Sequence, residues 1–337
     1  MRSRAGRGPW YGYDRALLAR MTLTMLSVVV VDGAVLIGLA LLGIGPLPIA
    51  AAAAAFVAGQ LLLGPRCALA VLRARRTSPQ EEPALHAAVE RLCQLADIAK
   101  PAIAISELAA PAAFAVGRSE RSATICVSRG LLEQLEPPEL MAILAHELAH
   151  VASRDMLVMS AASVMATLAG LLLRIASWTG YSERWVVRTR LPGPWGFFGD
   201  ALPGVAAGGV LSLGMVFVRL LLAVPLAVLL VVYALTLPAI AALSRAREFA
   251  ADRSAAILTG APATIAASLL KLSEEIERLP TRDFRAAGLM NALLVVPIAP
   301  VGGMLGRLIA THPPVMLRVE RLLAMQTSIE GHPRAVV

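Results

Sequence analysis

Four long apolar runs break this chain, at about residues 21–42, 47–64, 156–177 and 205–243. Roughly 20 apolar residues in a helix span the hydrocarbon core of a bilayer. Each run therefore reads as a membrane crossing, and whatever else the chain builds must fit into the polar stretches between them. Composition agrees. The 337 residues are 57% hydrophobic and only 16% charged, with a mean hydropathy of +0.70. That excludes an ordinary soluble protein. The expected fold is a mainly α-helical integral membrane protein with about four transmembrane helices and a polar α+β domain. The fourth run exceeds one crossing and carries Arg219. Its embedded part is expected at 220–243, with 205–218 at the interface.

Charge sets the orientation. Residues 1–20 hold Arg2, Arg4, Arg7, Arg15 and Arg20 against one acid, Asp14, and Arg66, Arg73, Arg75 and Arg76 follow the second run. Arginines at both outer ends of a hairpin place both ends in the cytoplasm. A cleaved signal peptide fits poorly, because the first run is long and a second follows at once. The plan is then a basic cytoplasmic N-terminus (1–20), a two-span hairpin (21–64) and a first polar part (65–155). A second membrane hairpin (156–243), a second polar part (244–326) and a tail (327–337) complete it. The loop 178–204 holds Trp178, Trp185, Trp195, Phe197 and Phe198, which suit a headgroup layer. Its Arg184, Arg188 and Arg190 run against the charge trend. The net charge of +8 points to anionic lipid heads rather than nucleic acid, since the arginines flank apolar runs and aromatics are sparse. Cys67, Cys93 and Cys126 form no CxxC pair and read as small buried residues in a reducing compartment. Asp32, inside the first run, is expected to pair with an arginine of another span.

The polar parts carry short-range signals. Residues 82–96 have an apolar stripe at Leu85, Val89, Leu92 and Leu95 that predicts an amphipathic helix. Short strands are expected at 103–105, 114–116 and 123–127, the last two joined as a β-hairpin by the polar turn Gly117 to Arg121. Ser128 caps a short helix ending at Leu135. Further helices are expected at 246–257, 263–278 and from Pro314 to Met325, with an irregular Gly/Pro-rich stretch at 280–310. His86 and His332 belong to no pattern and are expected to be exposed.

The chemistry sits in His146-Glu147-Leu148-Ala149-His150. Histidines four apart lie one turn apart on one helix face, so both imidazoles can reach one metal ion. The glutamate after the first histidine can reach a water on that metal. This is the HExxH arrangement of zinc peptidases. Pro137-Pro138 marks the start of the helix, and Leu140, Ile143, Leu144, Leu148 and Val151 supply an apolar face. The helix has no evident stop before the third apolar run and is expected to continue into it. A catalytic zinc needs a third protein ligand and an open position for water. Glu248 directly follows the fourth run and is the expected third ligand. A membrane hairpin brings it back to His146 and His150. Asp252, one turn later, faces the same way and can accept the second ring N–H of a ligand histidine. In the resulting scheme Glu147 takes a proton from the metal-bound water and passes it to the leaving amine. One zinc ion per chain is implied.

The three segments HELAHVASRD, SRAREFAAD and THPPVMLRV, in that order and with paired apolar runs before and between them, resemble the HtpX-type membrane zinc metalloproteases. Their eukaryotic relatives are the CAAX prenyl endopeptidases. The resemblance covers about residues 20–325. It implies a gluzincin-type protease domain on the cytoplasmic side of the bacterial inner membrane, acting on misfolded or damaged membrane proteins. It also assigns Glu248 as the third ligand. By resemblance, His312 stabilises the oxyanion, and Arg318 orients it or pairs with a site carboxylate. A helix-capping His312 with Arg318 on a solvated face is the equal alternative. Asp155 also matches, with a structural pairing to Arg245 or Arg247 as its expected job. The chain departs from the family pattern at Ala113, where the family has asparagine. The strand Ala113, Phe114 and Ala115 is expected to pair with extended substrate through its backbone.

Three other readings compete with this one. An intramembrane site-2-type protease needs a ligand aspartate in a later span, whereas Asp32-Gly33 precedes the HExxH segment. A prenyl-protein processing role shares the catalytic residues but goes with more spans. A membrane adaptor has no need of an intact His146, Glu147, His150 and Glu248 set. Polypeptides and the lipid bilayer are the expected partners. Substrates and oligomeric state are not written in the sequence.

Overall fold

The structure, a computed structural model, describes residues 46–155, 237–278 and 310–331, with Ala19, Thr22, Leu23, Leu26, Val30, Gly33 and Val231 as single positions. The first part comprises α1 (Pro46–Val71), β1 (Arg75–Arg76), α2 (Pro83–Ala96), β2 (Ala102–Ser106), β3 (Ala113–Val116), β4 (Thr124–Ser128), α3 (Arg129–Gln134) and α4 (Pro137–Ala152). The second part comprises α5 (helical over 237–259), α6 (Pro262–Arg278) and α7 (Val315–Gly331). Apart from the single positions, the expected first and third spans lie outside the described residues, as does the fourth up to residue 236; its last residues, 237–243, form the start of α5. Asp32, the loop 178–204, the 280–310 stretch up to residue 309, and His332 also lie outside the described residues. The run 47–64 lies in α1, which carries Pro65 and Arg66 inside it. Among the described residues no helix is long and apolar enough to cross a membrane.

The sheet has the order β1-β2-β4-β3. β3 and β4 form the expected antiparallel hairpin, with Phe114 opposite Cys126. β2 runs parallel to β4, with Ala104 opposite Cys126. The two-residue β1 adds antiparallel to β2. Ser128 stitches the end of β4 to the segment entering β3. Its Oγ donates to Ala110 O at 2.8 Å and accepts from the N–H of Ala112 at 2.8 Å and of Leu131 at 3.1 Å. The last of these caps α3.

α4 is the central helix. Pro137 enters its first turn, where a missing N–H costs nothing, and Glu136 N–H donates to Glu139 Oε2 at 2.9 Å. Ile143, Leu144, Leu148 and Val151 are fully buried, each contributing roughly 1.5–3 kcal/mol by removal from water. They lie in one core with the sheet, α2 and α6. Beyond Ala152 the backbone turns at Ser153, and Arg154 takes a left-handed φ of 56°. The helix therefore ends before the third apolar run instead of continuing straight into it. The reversal sends Asp155 back toward His150.

Three local expectations are corrected. In α2, Leu85, Val89 and Leu92 are buried, but Leu95 is exposed and Cys93 and Ala96 take its place. The true inward face follows positions 85, 89, 92, 93 and 96, a tighter fit to 3.6 residues per turn. His86 is buried, with Nε2 3.2 Å from Thr77 Oγ1, because the loop after β1 folds over it. Cys93 and Cys126 are buried and free, whereas Cys67 is exposed.

Candidate metal centre

α4 and α5 deliver three side chains to one point. His146 and His150 present their Nε2 atoms 3.2 Å apart. Glu248 Oε2 lies 3.7 Å from His146 Nε2, and Glu248 Oε1 lies 3.6 Å from His150 Nε2. Two atoms bound at about 2.0–2.1 Å by one tetrahedral ion lie roughly 3.3–3.4 Å apart. The triangle His146, His150 and Glu248 thus has the donor chemistry and the spacing to hold a metal. The two imidazole rings stand edge to face, at 86°, so their nitrogens converge while the rings do not stack.

Each histidine is held from behind. His146 Nδ1 lies 3.0 Å from Asp252 Oδ1, and His150 Nδ1 lies 2.6 Å from Asp155 Oδ2. A carboxylate at Nδ1 fixes the tautomer that leaves Nε2 free for a metal. Asp252 is in turn gripped by Arg318, whose Nε and NH2 donate at 2.8 and 2.7 Å. Arg318 NH1 reaches Glu248 Oε2 at 3.1 Å. Arg247 pairs with Asp155. The reading of Arg318 on a solvated face is overturned, since the side chain is completely buried. His312 is buried too, with Nδ1 3.4 Å from Glu248 Oε2. Arg245 donates to Ala310 O at 2.6 Å and ties the turn before His312 to α5. Arg321 stacks 3.7 Å above the Phe249 ring and fastens α7 to the same helix.

Burial and charge push the two glutamates apart. Burial raises the Glu147 carboxyl to about 7, with Glu248 reinforcing the rise and His150, Arg318 and the Ala115 N–H opposing it. Burial also acts on Glu248, but His312, Arg318 and His146 together hold it well below the usual carboxylate range. Asp252 is likewise held low against burial by Arg318 and His146. His146 is lowered by burial, with Asp252 opposing, which favours the neutral imidazole a metal requires. One carboxyl is therefore poised to exchange a proton near neutrality while the other stays an anion.

Ala113, Phe114 and Ala115 form part of β3, at the edge of the sheet and packed on α4. All three are buried. Ser128 N–H donates to Ala112 O at 2.8 Å. By antiparallel alternation the backbone groups of Ala113 and Ala115 then face away from β4. This agrees with the Ala115 N–H acting on Glu147. The structure thus brings His146, Glu147, His150, Glu248, Asp252, Asp155, His312, Arg318 and β3 into one neighbourhood. Sequence reasoning missed the contact of Asp155 with His150. The signal lay in the Arg-Asp pair just past the second histidine, but the backbone reversal at Arg154 was not visible.

An HExxH helix and a carboxylate from a second helix, meeting beside a sheet edge, define the class as a metal-dependent peptidase. Comparison with known proteins carries this further. The pattern of Peptidase family M48 matches residues 79–326. The chain is 39% identical over 322 residues to "Protease HtpX homolog 1" of Streptomyces coelicolor, spanning 95% of this chain and 96% of that protein. It is 37% identical over 319 residues to "Protease HtpX homolog" of Moorella thermoacetica, spanning 95% and 97%. A crystal structure of S. mikatae Ste24p aligns with a TM-score of 0.48 at 15% identity, covering 92% of this chain and 67% of that one. The chain belongs to peptidase family M48 and is a metalloprotease.

Proposed function

We propose that this chain is a membrane-bound, zinc-dependent endopeptidase. It cleaves misfolded or damaged membrane proteins at the cytoplasmic face of a bacterial inner membrane. The observation that carries the reading is the triangle of His146, His150 and Glu248 with Glu147 buried beside it. Two imidazoles and one carboxylate suit zinc and match the ligand set of catalytic sites that keep an open position. The membrane part rests on the four apolar runs and the arginines at their ends.

In this reading His146, His150 and Glu248 hold the ion. A bound zinc ion supplies Lewis acidity, lowering the pKa of coordinated water to about 7 and polarising a carbonyl oxygen. Glu147 accepts the proton of the attacking water and delivers it to the leaving amine. Its upward shift suits both halves of that task. His312 faces the same centre from the turn before α7 and stabilises the oxyanion. Asp252 and Asp155 hold the ligand histidines, and Arg318 neutralises Glu248 and Asp252. Extended substrate pairs with the β3 edge Ala113, Phe114 and Ala115 through the backbone groups that face away from β4, those of Ala113 and Ala115. That makes recognition tolerant of side-chain identity, as clearance of varied unfolded chains demands. Since β3 is buried, this pairing requires the edge to open.

The test is zinc content and cleavage of an unfolded protein by wild type and Glu147→Gln in detergent. The reading expects about one zinc in each and cleavage by wild type alone. A Glu147→Gln variant that cleaves as fast as wild type sinks the assigned base. Wild type that binds no zinc in detergent or bilayers sinks the metal site.

A further inference from the structure

The metal ligand His150 is braced differently from His146. Asp252 lies in α5, one turn from Glu248, and is served by Arg318 of α7. Asp155 belongs to neither helix that carries a ligand. It sits past the end of α4, beyond the left-handed Arg154, and is the last described residue before 156–236. Its two oxygens divide their work. Oδ2 meets His150 Nδ1 at 2.6 Å, and Oδ1 pairs with Arg247 of α5. Arg247 is buried and is the residue immediately before Glu248. The line Arg247–Asp155–His150 therefore joins the helix that supplies the third ligand to the helix that supplies the second, behind the metal face.

We propose that Arg247 and Asp155 form a strut that positions His150 for metal binding, so that metal affinity depends on the two acting as a unit. The proposal rests on the metal-site reading above. Three features support it. The 2.6 Å contact fixes both the tautomer and the ring plane of His150. Burial of the pair removes competition from water, so a guanidinium held by the α5 backbone keeps Asp155 in place. The strut also spans the chain on either side of 156–236, Asp155 before it and Arg247 after it. The His150 side of the site is thereby tied to both of these flanks, whereas the His146 side is braced from α5 and α7.

The experiment is zinc affinity of the full chain in detergent, measured by competition with a chromophoric chelator. It covers wild type, Asp155→Asn, Arg247→Ala, Arg247→Lys and the double variant. Cobalt(II) absorption spectra and thermal unfolding accompany each. Lys271→Ala is the control, since it breaks an ion pair at the start of α4 with Glu139, 2.7 Å long, away from the ligands. The expected result is a 10–100-fold loss of affinity for Asp155→Asn and for Arg247→Ala. The double variant should be no worse than about twofold beyond the weaker single. The cobalt spectrum should shift in each, Arg247→Lys should recover part of the loss, and the control should bind as wild type does. Asp155→Asn keeps the size of the side chain and decides the matter if Arg247→Ala does not fold. Wild-type affinity and spectrum in Asp155→Asn overturn the strut, as do losses that multiply in the double variant. Failure of wild type itself to bind zinc overturns the metal-site reading and the strut with it.

Discussion

Arg318 and Asp252 form a two-pronged pair in a fully buried setting, with Nε–H and NH2 donating at 2.8 and 2.7 Å. The third guanidinium nitrogen reaches Glu248, so one cation serves two carboxylates that burial would otherwise protonate. Asp252 and Glu248 instead stay well below their ordinary range, and Arg318 is pushed above its own. Removing one partner of a buried pair costs about 3–5 kcal/mol, because the other charge stays behind. Arg318→Ala is expected to lose stability of that order and to lose bound metal. Arg318→Lys should fare only partly better, since an ammonium cannot make the parallel bonds to Asp252 while reaching Glu248. Thermal unfolding with metal quantification checks both, and wild-type stability in Arg318→Ala is the contrary outcome.

Glu147 makes a pH-dependent prediction with a definite sign. Its carboxyl is raised by burial from 4.5 to about 7 in the metal-free fold. A raised pKa means the folded state holds the proton more tightly than the unfolded chain. The associated stability is present in full below about 4.5 and is lost as pH rises through about 7. The loss is on the order of 3 kcal/mol. Glu147→Gln cannot ionise, so metal-free Glu147→Gln should match wild type near pH 4.5 and exceed it above pH 7. The difference between the two unfolding curves isolates this group from every other titration. Parallel curves across that range would show that Glu147 is not shifted.

The candidate metal site was legible in the sequence because its information is local. Two histidines at i and i+4 need only a helix to converge, and Glu248 with Asp252 repeats that logic on α5. What the sequence hid was set by contacts between distant residues. β1 is two arginines that become a strand only because β2 offers an edge. His86 looked like an exposed helix residue until the loop carrying Thr77 closed over it. Asp155 reads in the sequence as a structural partner for Arg245 or Arg247, and it does pair with Arg247; its contact with His150 is what the sequence does not show. One left-handed residue, Arg154, turned it onto His150, and a non-glycine residue at φ 56° leaves no mark in a hydrophobic pattern.

The support of β3 makes a prediction away from the ligands. Ser128 Oγ joins Ala110 O, Ala112 N–H and Leu131 N–H. Ser128→Ala leaves three buried backbone groups without that partner and is expected to cost about 2–4 kcal/mol. Gly130 is bound to the same segment by contact. A Cβ there would sit 1.8 Å from Ala109 O, a backbone atom, so Gly130→Ala must move the chain that leads into β3. Ser106→Ala is the comparison, since Ser106 Oγ accepts one weak bond of 3.4 Å from Leu108 N–H. It should cost under about 1 kcal/mol. Denaturant unfolding that ranks Ser106→Ala with the other two contradicts the role given to this segment.

Metal removal should separate the fold from the site. Four buried carboxylates, Glu147, Glu248, Asp252 and Asp155, surround the ligand histidines, and the buried guanidiniums facing them are Arg247 and Arg318. A divalent cation therefore relieves repulsion as well as forming bonds. A ligand that binds only the folded state at about 1,000 times its Kd adds roughly 4 kcal/mol of stability. Chelator treatment should lower the unfolding temperature and abolish cleavage, and zinc should restore both. The core of the sheet, α2 and α4 is built from apolar contacts that involve no metal. Far-ultraviolet circular dichroism of the metal-free chain should thus stay near that of the loaded form until the lowered transition is reached. Loss of helical signal on chelation at room temperature would mean that the metal organises the fold itself and not only the site.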